Sequence, residues 1–327
     1  MIPAGRIRWL RTWVPLLLLA FLSFSCGIGG TDFAGGGTGG TGISTGAVSG
    51  FGSVVVNGVH FRTNNAKKLL NGKEDNSGRT DNVVFAVGMI VTVQHGTADN
   101  DARVIEYRDN LSGPIASTPP GADNVIVILG HTIVVENATL FGSLKENDVV
   151  EVSGFVDNAG RIRADFVSLA SRPANSFEVK GFVSGVSGNS FQLGPLPGDS
   201  AATVAISYDS AAISVPPGGF EKGMYVQVST GNRAPAGGVI TATEIVKLTA
   251  RTEFPDGASV DLEGLVTSPP IGSGNVLSLA VEGKLIRTDD ATDFTGHSPA
   301  EIQPNTRLLV QGIENGGVLS AVNIIFR

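Results

Sequence analysis

The strongest constraint on this chain is a short segment that occurs four times. The copies begin at Gly88, Asn147, Gly223 and Asn305, and each continues with apolar residues at alternate positions, as in Gly88-Met-Ile-Val-Thr-Val93. This alternation is typical of a β-strand with one buried face. A polar turn and a second apolar strand follow each copy, which predicts a hairpin. We therefore expect the chain to repeat one small β unit four times.

A second pattern precedes each hairpin, and it opens with Gly-x-Val or a close variant. These openings are Gly46-Ala-Val48, Gly113-Pro-Ile115, Gly181-Phe-Val183 and Gly264-Leu-Val266. Another hairpin follows each opening, with turns predicted at Asn57-Gly58, Leu129-Gly130 and Glu282-Gly283, and a longer loop at 194–198 in the third copy. Asn-Gly is a strong signal for a type I′ turn. Each repeat thus contains five predicted strands.

The repeats are small, because the copies of the short segment lie 59, 76 and 82 residues apart. Five strands in so few residues favour a closed barrel of the oligonucleotide/oligosaccharide-binding type over an immunoglobulin sandwich, which needs seven strands and about 100 residues. The predicted fold class is all-β, with four tandem five-stranded barrels. The predicted domains are 45–109, 110–172, 173–251 and 252–327.

The residue that opens the short segment is glycine or asparagine in all four repeats. These are the residues that best tolerate the left-handed region of backbone space. We predict that Gly88, Asn147, Gly223 and Asn305 are equivalent turn residues with positive φ. A valine at Gly88 should then be costly. An asparagine there should be tolerated in an isolated first repeat, because two other repeats carry it.

Together, the Gly-x-Val opening, the Asn-Gly hairpin and the (Gly/Asn)-x-x-Val-x-Val strand resemble a known family. Residues 45–327 are similar to repeated small β domains of unknown function that are found in bacterial envelope lipoproteins. The resemblance implies an architecture and a location. It implies no activity, because the shared motifs specify turns and strands rather than chemistry.

The amino terminus has the pattern of an export signal over residues 1–25. Arg6, Arg8 and Arg11 precede an apolar run from Trp13 to Phe24. A charged start, a short apolar stretch and a small-residue exit define a secretory signal peptide. The run has about a dozen residues, whereas a helix that spans the membrane needs roughly 20. A permanent anchor helix is the less favoured alternative.

The only cysteine, Cys26, stands directly after this signal. The segment resembles a bacterial lipoprotein signal, which implies lipidation of Cys26 and a membrane anchor. Ser23 and Phe24 depart from the family's usual Leu and small residue, and Ser23-x-Ser25 also fits ordinary secretion with cleavage at the same bond. Gly27 would direct such a lipoprotein to the outer membrane. Residues 26–44 are rich in Gly and Thr and are predicted to form a flexible tether.

Charge and aromatic content argue against nucleic acid as a partner. The formal charge of −7 becomes −10 once the three leader arginines are removed. An acidic surface repels phosphate backbones, which need clustered Lys and Arg. Both tryptophans, Trp9 and Trp13, lie in the leader, so few aromatic side chains remain to stack on bases or sugars.

Residues that could carry chemistry are few. The best cluster for a metal is Asp289, Asp290, Asp293 and His297, because oxygen-rich loops can hold calcium, but it lacks the fixed spacing of an EF-hand. His60 and His131 occupy comparable hairpins, and we expect both on solvent-facing positions. No motif predicts a catalytic residue or a cofactor.

We therefore expect an exported, non-catalytic lipoprotein of the cell envelope, at the outer membrane or cell surface. Its tandem barrels would serve as a structural scaffold or bind an envelope protein. The alternative is a binding module for an envelope polysaccharide or a divalent cation. A surface enzyme is a third hypothesis, and it would require a convergent acid and base in a cleft.

Overall fold

The computed structural model of the chain describes residues 41–118, 124–170, 176–198 and 202–327. These residues form 23 β-strands and three very short helices, and the strands belong to two sheets. The predicted fold class, all-β with tandem small five-stranded barrels, is confirmed. The predicted leader and tether lie outside the described residues, apart from 41–44, which begin the first β-strand instead of forming part of a tether.

Strands β1 to β12 form the first two repeats. Repeat 1 contains β1 (Thr41–Gly50), β2 (Val54–Val56), β3 (Val59–Phe61), β4 (Lys67–Leu70), β5 (Lys73–Glu74), the helix α1 (Asp81–Val84), β6 (Ile90–Gly96) and β7 (Ala102–Tyr107). Repeat 2 contains β8 (Leu111–Ser117), β9 (Val125–Ile128), β10 (His131–Val135), the helix α2 (Ala138–Phe141), β11 (Val149–Val156) and β12 (Ile162–Leu169).

Strands β13 to β23 form the last two repeats. Repeat 3 contains β13 (Glu178–Ser187), β14 (Ser190–Gly194), β15 (Val204–Ser207), β16 (Tyr225–Ser229), β17 (Val239–Thr241) and β18 (Glu244–Lys247). Repeat 4 contains β19 (Ser259–Ser273), β20 (Val276–Val281), β21 (Lys284–Arg287), a 3-10 helix (Pro299–Glu301), β22 (Arg307–Asn315) and β23 (Val318–Phe326).

Repeats 2 and 4 show the complete barrel. In repeat 4 the order is β19-β20-β21-β23-β22, and β19 pairs with both β20 and β22, which closes the sheet. The third and fifth strands pair in parallel, and all other pairs are antiparallel. Repeat 2 has the same order, β8-β9-β10-β12-β11, with the same closure. Closure leaves each barrel with little unpaired strand edge.

Repeats 1 and 3 depart from this barrel at one strand each. In repeat 1 the third strand is interrupted between β3 and β4, and only β4 forms a regular parallel ladder with β7. In repeat 3 the predicted single strand 239–248 is wrong, because it divides into β17 and β18. The division follows the hydrogen bonds: Ala242 N–H donates to Ser207 of β15, and Thr243 N–H donates to Ser229 of β16. The chain thus changes partners between Ala242 and Thr243.

The predicted turn with positive φ is confirmed in every repeat. Gly88 and Gly223 have φ of 90°, and Asn147 and Asn305 have φ of 70°. Each donates its N–H to the carbonyl oxygen of the last residue of the Gly-x-Val opening, which is Val48, Ile115, Val183 or Val266. The N–H of that residue donates in turn to the carbonyl oxygen of the residue that follows the Gly or Asn. The two sequence patterns are therefore joined by one repeated pair of backbone hydrogen bonds.

The three predicted hairpin turns also have positive φ at both central residues. Values are 56° and 80° at Asn57-Gly58, 47° and 81° at Leu129-Gly130, and 51° and 75° at Glu282-Gly283. Each turn packs on another repeat. Asn57 Nδ2 donates to Asp261 O of repeat 4 at 3.4 Å, and Gly130 and Gly283 leave no room for a Cβ beside Val204 and Pro197 of repeat 3. The hairpin turns are thus docking elements.

Strand pairing also joins whole repeats. The first strand of repeat 1, β1, pairs in parallel with the first strand of repeat 4, β19, from Gly42 opposite Ser259 to Thr45 opposite Leu262. The first strands of repeats 2 and 3, β8 and β13, pair antiparallel. The sequence did not predict these pairings. They produce a 12-stranded sheet from repeats 1 and 4 and an 11-stranded sheet from repeats 2 and 3.

The hydrophobic cores follow the same grouping. Repeats 2 and 3 share one continuous core, whereas repeats 1 and 4 have separate cores. A fourth, small cluster consists of Ile90 of repeat 1, Phe155 of repeat 2 and Leu265 of repeat 4. All three side chains are at least 94% buried. This cluster connects the two sheets.

Candidate functional site

Charged side chains surround the small cluster where repeats 1, 2 and 4 meet. Arg307 of repeat 4 donates from Nε to Glu263 Oε1 at 3.0 Å and from Nη1 to Asp165 Oδ1 of repeat 2 at 3.2 Å. Its guanidinium lies 4.7 Å from the centre of the Phe155 ring. Glu263 Oε2 accepts from Ala47 N–H of repeat 1 at 3.0 Å. One arginine and one glutamate therefore link three repeats.

Two glutamates satisfy equivalent backbone donors in the Gly-x-Val openings. The donor is the N–H of the middle residue of the opening. In repeat 1, Ala47 N–H donates to Glu263, and in repeat 4, Leu265 N–H donates to Glu282. In repeat 2 the same position is Pro114, which has no N–H. In repeat 3 it is Phe182, which lies in the ladder between β13 and β14. A buried N–H without a partner is costly, and repeats 1 and 4 avoid this cost in the same way, with a glutamate.

A cavity of about 30 Å³ lies where repeats 2, 3 and 4 meet, and we call it the junction cavity. Its polar lining consists of Asn110, His131, Lys180, Tyr225, Arg251, Thr252 and Glu282. The rest of the wall is largely apolar, with Val156, Ile162, Val179, Phe182, Pro195 and Ala250. A cavity of this size holds one or two water-sized groups.

His131 is the least expected residue of the junction cavity. The sequence placed it on a solvent-facing position, and that prediction is wrong, because the residue is only 3% exposed; His60, in the comparable hairpin, is exposed as expected. Neither ring nitrogen of His131 has a hydrogen-bond partner among the described residues. Burial lowers the pKa of His131 to about 4, so the imidazole is neutral at pH 7.

Glu282 enters the same region from its hairpin turn. Its carboxylate accepts from Val156 N–H of repeat 2 at 3.0 Å and from Leu265 N–H at 3.2 Å. Burial raises the pKa of Glu282 to about 7, against the opposing charge of Arg251 and the two backbone donors. The carboxyl therefore changes its charge near neutral pH.

A buried ion pair flanks the cavity. Lys180 Nζ donates to Asp109 Oδ1, and neither side chain is more than 1% exposed. Asn71 Nδ2 donates to the other oxygen of Asp109 at 3.2 Å, and Asn71 Oδ1 accepts from the Asp109 N–H at 3.0 Å. Lys180 N–H donates to Asn110 O at 3.0 Å. The charge of Lys180 is thus neutralised at the boundary between repeats 1, 2 and 3.

The pKa of Glu282 predicts a dependence of stability on pH. Because the pKa is raised from 4.5 to about 7 on folding, the folded protein binds more protons than the unfolded chain between these values. The contribution of Glu282 to the free energy of unfolding should therefore fall by roughly 3 kcal/mol as the pH rises from 4.5 to 7. Glu282→Gln keeps an acceptor for the two N–H groups and should abolish this fall.

Urea denaturation of both proteins at pH 4.5 and 8 measures this effect. The difference between wild type and Glu282→Gln isolates Glu282 from His131, whose lowered pKa acts in the opposite direction between pH 4 and 6.5. Parallel pH profiles for the two proteins would contradict the assignment.

A larger open groove lies next to the junction cavity and shares Ala250 and Arg251 with it. We call it the linker groove, because it runs between repeat 1 and the segment that joins repeats 3 and 4. Its volume is about 530 Å³. Its polar lining includes Thr92, Gln94, Glu106, Arg108 and Glu253, and its apolar wall consists of Ile43, Ala250, Phe254 and Pro255. Arg108 is already held by Glu106 and by Thr249 O.

The four predicted metal ligands do not form a site. Asp289 Oδ1 accepts from Ala291 N–H at 2.9 Å, and Asp293 Oδ1 accepts from Thr295 N–H at 2.7 Å, as turn residues do. His297 binds Glu301 at 3.1 Å and stacks on Phe326, while Asp290 is exposed. In the described part of the chain, no group of three or more His, Cys, Asp or Glu residues could hold a metal ion.

Cys26, the predicted lipidation site, lies outside the described residues. Within the described ranges, no helix is long and apolar enough to cross a membrane.

The residues of the junction cavity had only weak signals in the sequence. Glu282 stands where repeat 1 has Asn57, and a glutamate at a position that needs positive φ is unusual. That departure from the turn pattern could have singled out Glu282. Lys180 and Arg251 gave no such signal, because their burial depends on contacts between repeats.

Comparison with protein families identifies a domain that matches two parts of the chain. The family described as a domain of unknown function, DUF5666, matches residues 112–168 and 263–325. These stretches lie in repeats 2 and 4, the two complete barrels, and the chain is similar to that domain in both. No curated protein matches the chain. The match supports a repeated small β domain and assigns no activity to it.

Proposed function

We propose that the protein is a non-catalytic lipoprotein of the cell envelope, anchored through Cys26, whose four barrels form one rigid scaffold for an envelope partner. The amino-terminal pattern supports export and lipidation. The match to a domain of unknown function supports the repeated small β domains that the scaffold would consist of.

The observation that carries the scaffold proposal is the pairing of the first repeat with the last. The β1–β19 ladder and the β8–β13 ladder each continue a sheet from one barrel into another. Arg307, Glu263 and Glu282 add hydrogen bonds between repeats. Such contacts oppose independent motion of the barrels, and a rigid body presents its surface to a partner at low entropic cost.

The junction cavity supports a non-catalytic role. At about 30 Å³ it is too small for an organic substrate. Its histidine has a pKa of about 4, well below neutral pH, so His131 is a weak base and a poor proton donor at pH 7.

Distances between spin labels test the rigid scaffold. In a Cys26→Ala background, cysteines replace Val83 of repeat 1 and Val246 of repeat 3, which are 56% and 39% exposed. We expect one narrow distance distribution, because the two sheets are joined at the junction. As a control, two labels within repeat 4 should give a narrow distribution. A broad distribution for the pair in repeats 1 and 3, with a narrow one for the control, would contradict the scaffold.

The lipid anchor is tested by phase partitioning of the protein from whole cells. Wild type should enter the detergent phase, and Cys26→Ala should stay in the aqueous phase, because it lacks the thiol that would carry the lipid. Ser23→Ala, which keeps the cysteine, is the matched control. The mature protein should also lack tryptophan fluorescence, since Trp9 and Trp13 precede the cleavage site. A Cys26→Ala protein that still partitions into detergent, or a wild type that does not, would contradict lipidation.

A binding module for an envelope polysaccharide is the second candidate, and the linker groove favours it. Its volume of about 530 Å³ lies in the range of small-molecule sites, and it combines an apolar wall with several polar groups. Binding of envelope oligosaccharides that is lost in Gln94→Ala but kept in Asp290→Asn would support this function. Equal binding by both variants would contradict it.

A further inference from the structure

The junction cavity is lined by hydrogen-bond donors that have no acceptor among the described residues. Arg251 Nη2 donates to Gly154 O at 3.3 Å, but Arg251 Nη1 is buried and has no partner among the described residues. The ring of His131, 3% exposed, also has no partner there. Buried polar groups nearly always have a partner in folded proteins. Two such donors on one small cavity could be satisfied by a small bound acceptor.

We propose that the junction cavity binds one monovalent inorganic anion of the size of chloride or bromide, held by Arg251 Nη1 and by an N–H of His131. This site is independent of the scaffold function and of the linker groove's ligand.

The size and walls of the cavity suit such an ion. A volume of about 30 Å³ is enough for one halide and too small for phosphate or sulfate with their hydration. Val156, Ile162 and Val179 provide apolar wall around the donors. In surroundings of low polarity, the attraction between a guanidinium and an anion is much stronger than in water. Arg251 also lines the linker groove, which gives an ion a path from solvent.

The charges around Glu282 determine when the anion binds. Three other titratable groups line the cavity with Glu282: Arg251, the neutral His131 and Lys180. The charge of Lys180 is already balanced by Asp109. Beyond the cavity wall, Asp165 of β12 pairs with Arg307. When Glu282 is protonated, Arg251 has no counterion within ion-pair distance among the described residues. When Glu282 is ionised, it supplies that negative charge itself and repels an anion.

Anion binding and ionisation of Glu282 therefore exclude each other. The pKa of Glu282, about 7, sets the pH at which the exchange occurs. At pH 8.5 only a small fraction of the carboxyl is protonated, so the affinity for the anion should be about thirtyfold lower than well below pH 7.

The test uses bromide as the probe on the full chain. Crystals soaked in sodium bromide at pH 5.5 should show an anomalous bromine peak in the junction cavity, near Arg251 Nη1. In solution, the melting temperature of the protein should rise with bromide concentration along a one-site binding curve. The control is sodium glutamate at the same ionic strength, because the glutamate anion is too large to enter the cavity. At pH 8.5 the same rise should need about thirtyfold more bromide.

Variants separate the proposed site from general salt effects. Arg251→Gln should lose the bromide-dependent rise, whereas Arg62→Gln, which removes an exposed guanidinium, should keep it. Glu282→Gln should bind bromide equally at both pH values. The proposal is overturned by a cavity that contains only water in the bromide crystals. It is also overturned if bromide raises the melting temperature of wild type and of Arg251→Gln equally. A third contrary result would be that divalent cations stabilise wild type but not Glu282→Gln, which would indicate a cation site instead. The wild-type crystals decide the matter even if Arg251→Gln does not fold.

Discussion

Gly88→Asn should lower the free energy of unfolding of the full chain by about 3 kcal/mol, whereas Gly223→Asn should change it by less than about 1 kcal/mol. Both glycines have φ of 90° and occupy the same position of the repeat. Their surroundings differ. A Cβ on Gly88 would lie 2.2 Å from the carbonyl oxygen of Asp165 in repeat 2, but one on Gly223 would meet nothing within 4 Å.

Urea denaturation of the two variants and wild type measures this difference. The backbone conformation suits asparagine at both sites, because Asn147 and Asn305 adopt it in the other repeats. Any excess loss in Gly88→Asn therefore reports the contact between repeats 1 and 2. In an isolated first repeat the same substitution should be tolerated, as the sequence alone predicts. Equal losses for the two variants in the full chain would show that β12 does not pack against this turn.

Asp109→Asn should destabilise the protein by about 3–5 kcal/mol, because it leaves the ammonium of Lys180 buried without its counterion. The substitution keeps the size of the side chain and can keep a hydrogen bond to Asn71. The loss therefore reports charge rather than packing. Glu178 lies 4.0 Å from Lys180 and is partly exposed, so it compensates only in part.

Two further variants complete this measurement. Asp101→Asn breaks an ion pair with Arg62 in which both side chains are about 60% exposed, and it should leave the unfolding curve close to that of wild type. The double variant Asp109→Leu with Lys180→Met should recover much of the loss, since a buried pair replaced by apolar groups is often neutral. A loss no larger in Asp109→Asn than in Asp101→Asn would contradict the burial of this pair.

Much of the local structure was predictable because it depends on neighbours in sequence. Alternating apolar residues located β6, β11, β16 and β22, since one face of each strand must be buried. Asn57-Gly58 located a turn, because few residues adopt positive φ at two successive positions. The equivalence of Gly88 and Asn147 followed from the same steric rule.

The division of the last strand of repeat 3 was not predictable from periodicity. Residues 239–248 carry a pattern suitable for one strand, but the backbone changes partners at Ala242 and Thr243. Which neighbour a strand bonds to depends on where the barrel closes. That position is set by residues far away in sequence.

The candidate site illustrates the same limit. His131 and His60 occupy similar places in similar hairpins, yet His131 is buried and His60 is exposed. The difference arises because repeat 3 and the segment around Arg251 cover the hairpin of repeat 2. In the sequence, the acidic loop at Asp289 was the better candidate for a metal site, but its carboxylates accept hydrogen bonds from backbone N–H groups of their own turn.

The sequence by itself determined the repeat, its strands and its left-handed turns, because these depend on alternation and on the steric limits of single residues. Only the tertiary structure decided that β1 pairs with β19 and β8 with β13. Similar barrels could join in many ways, and no local sequence pattern distinguishes these ways. The choice depends on complementary surfaces such as Arg307 with Asp165 and Glu282 with Val156. Those contacts bring together residues more than 100 positions apart, and they create the junction cavity.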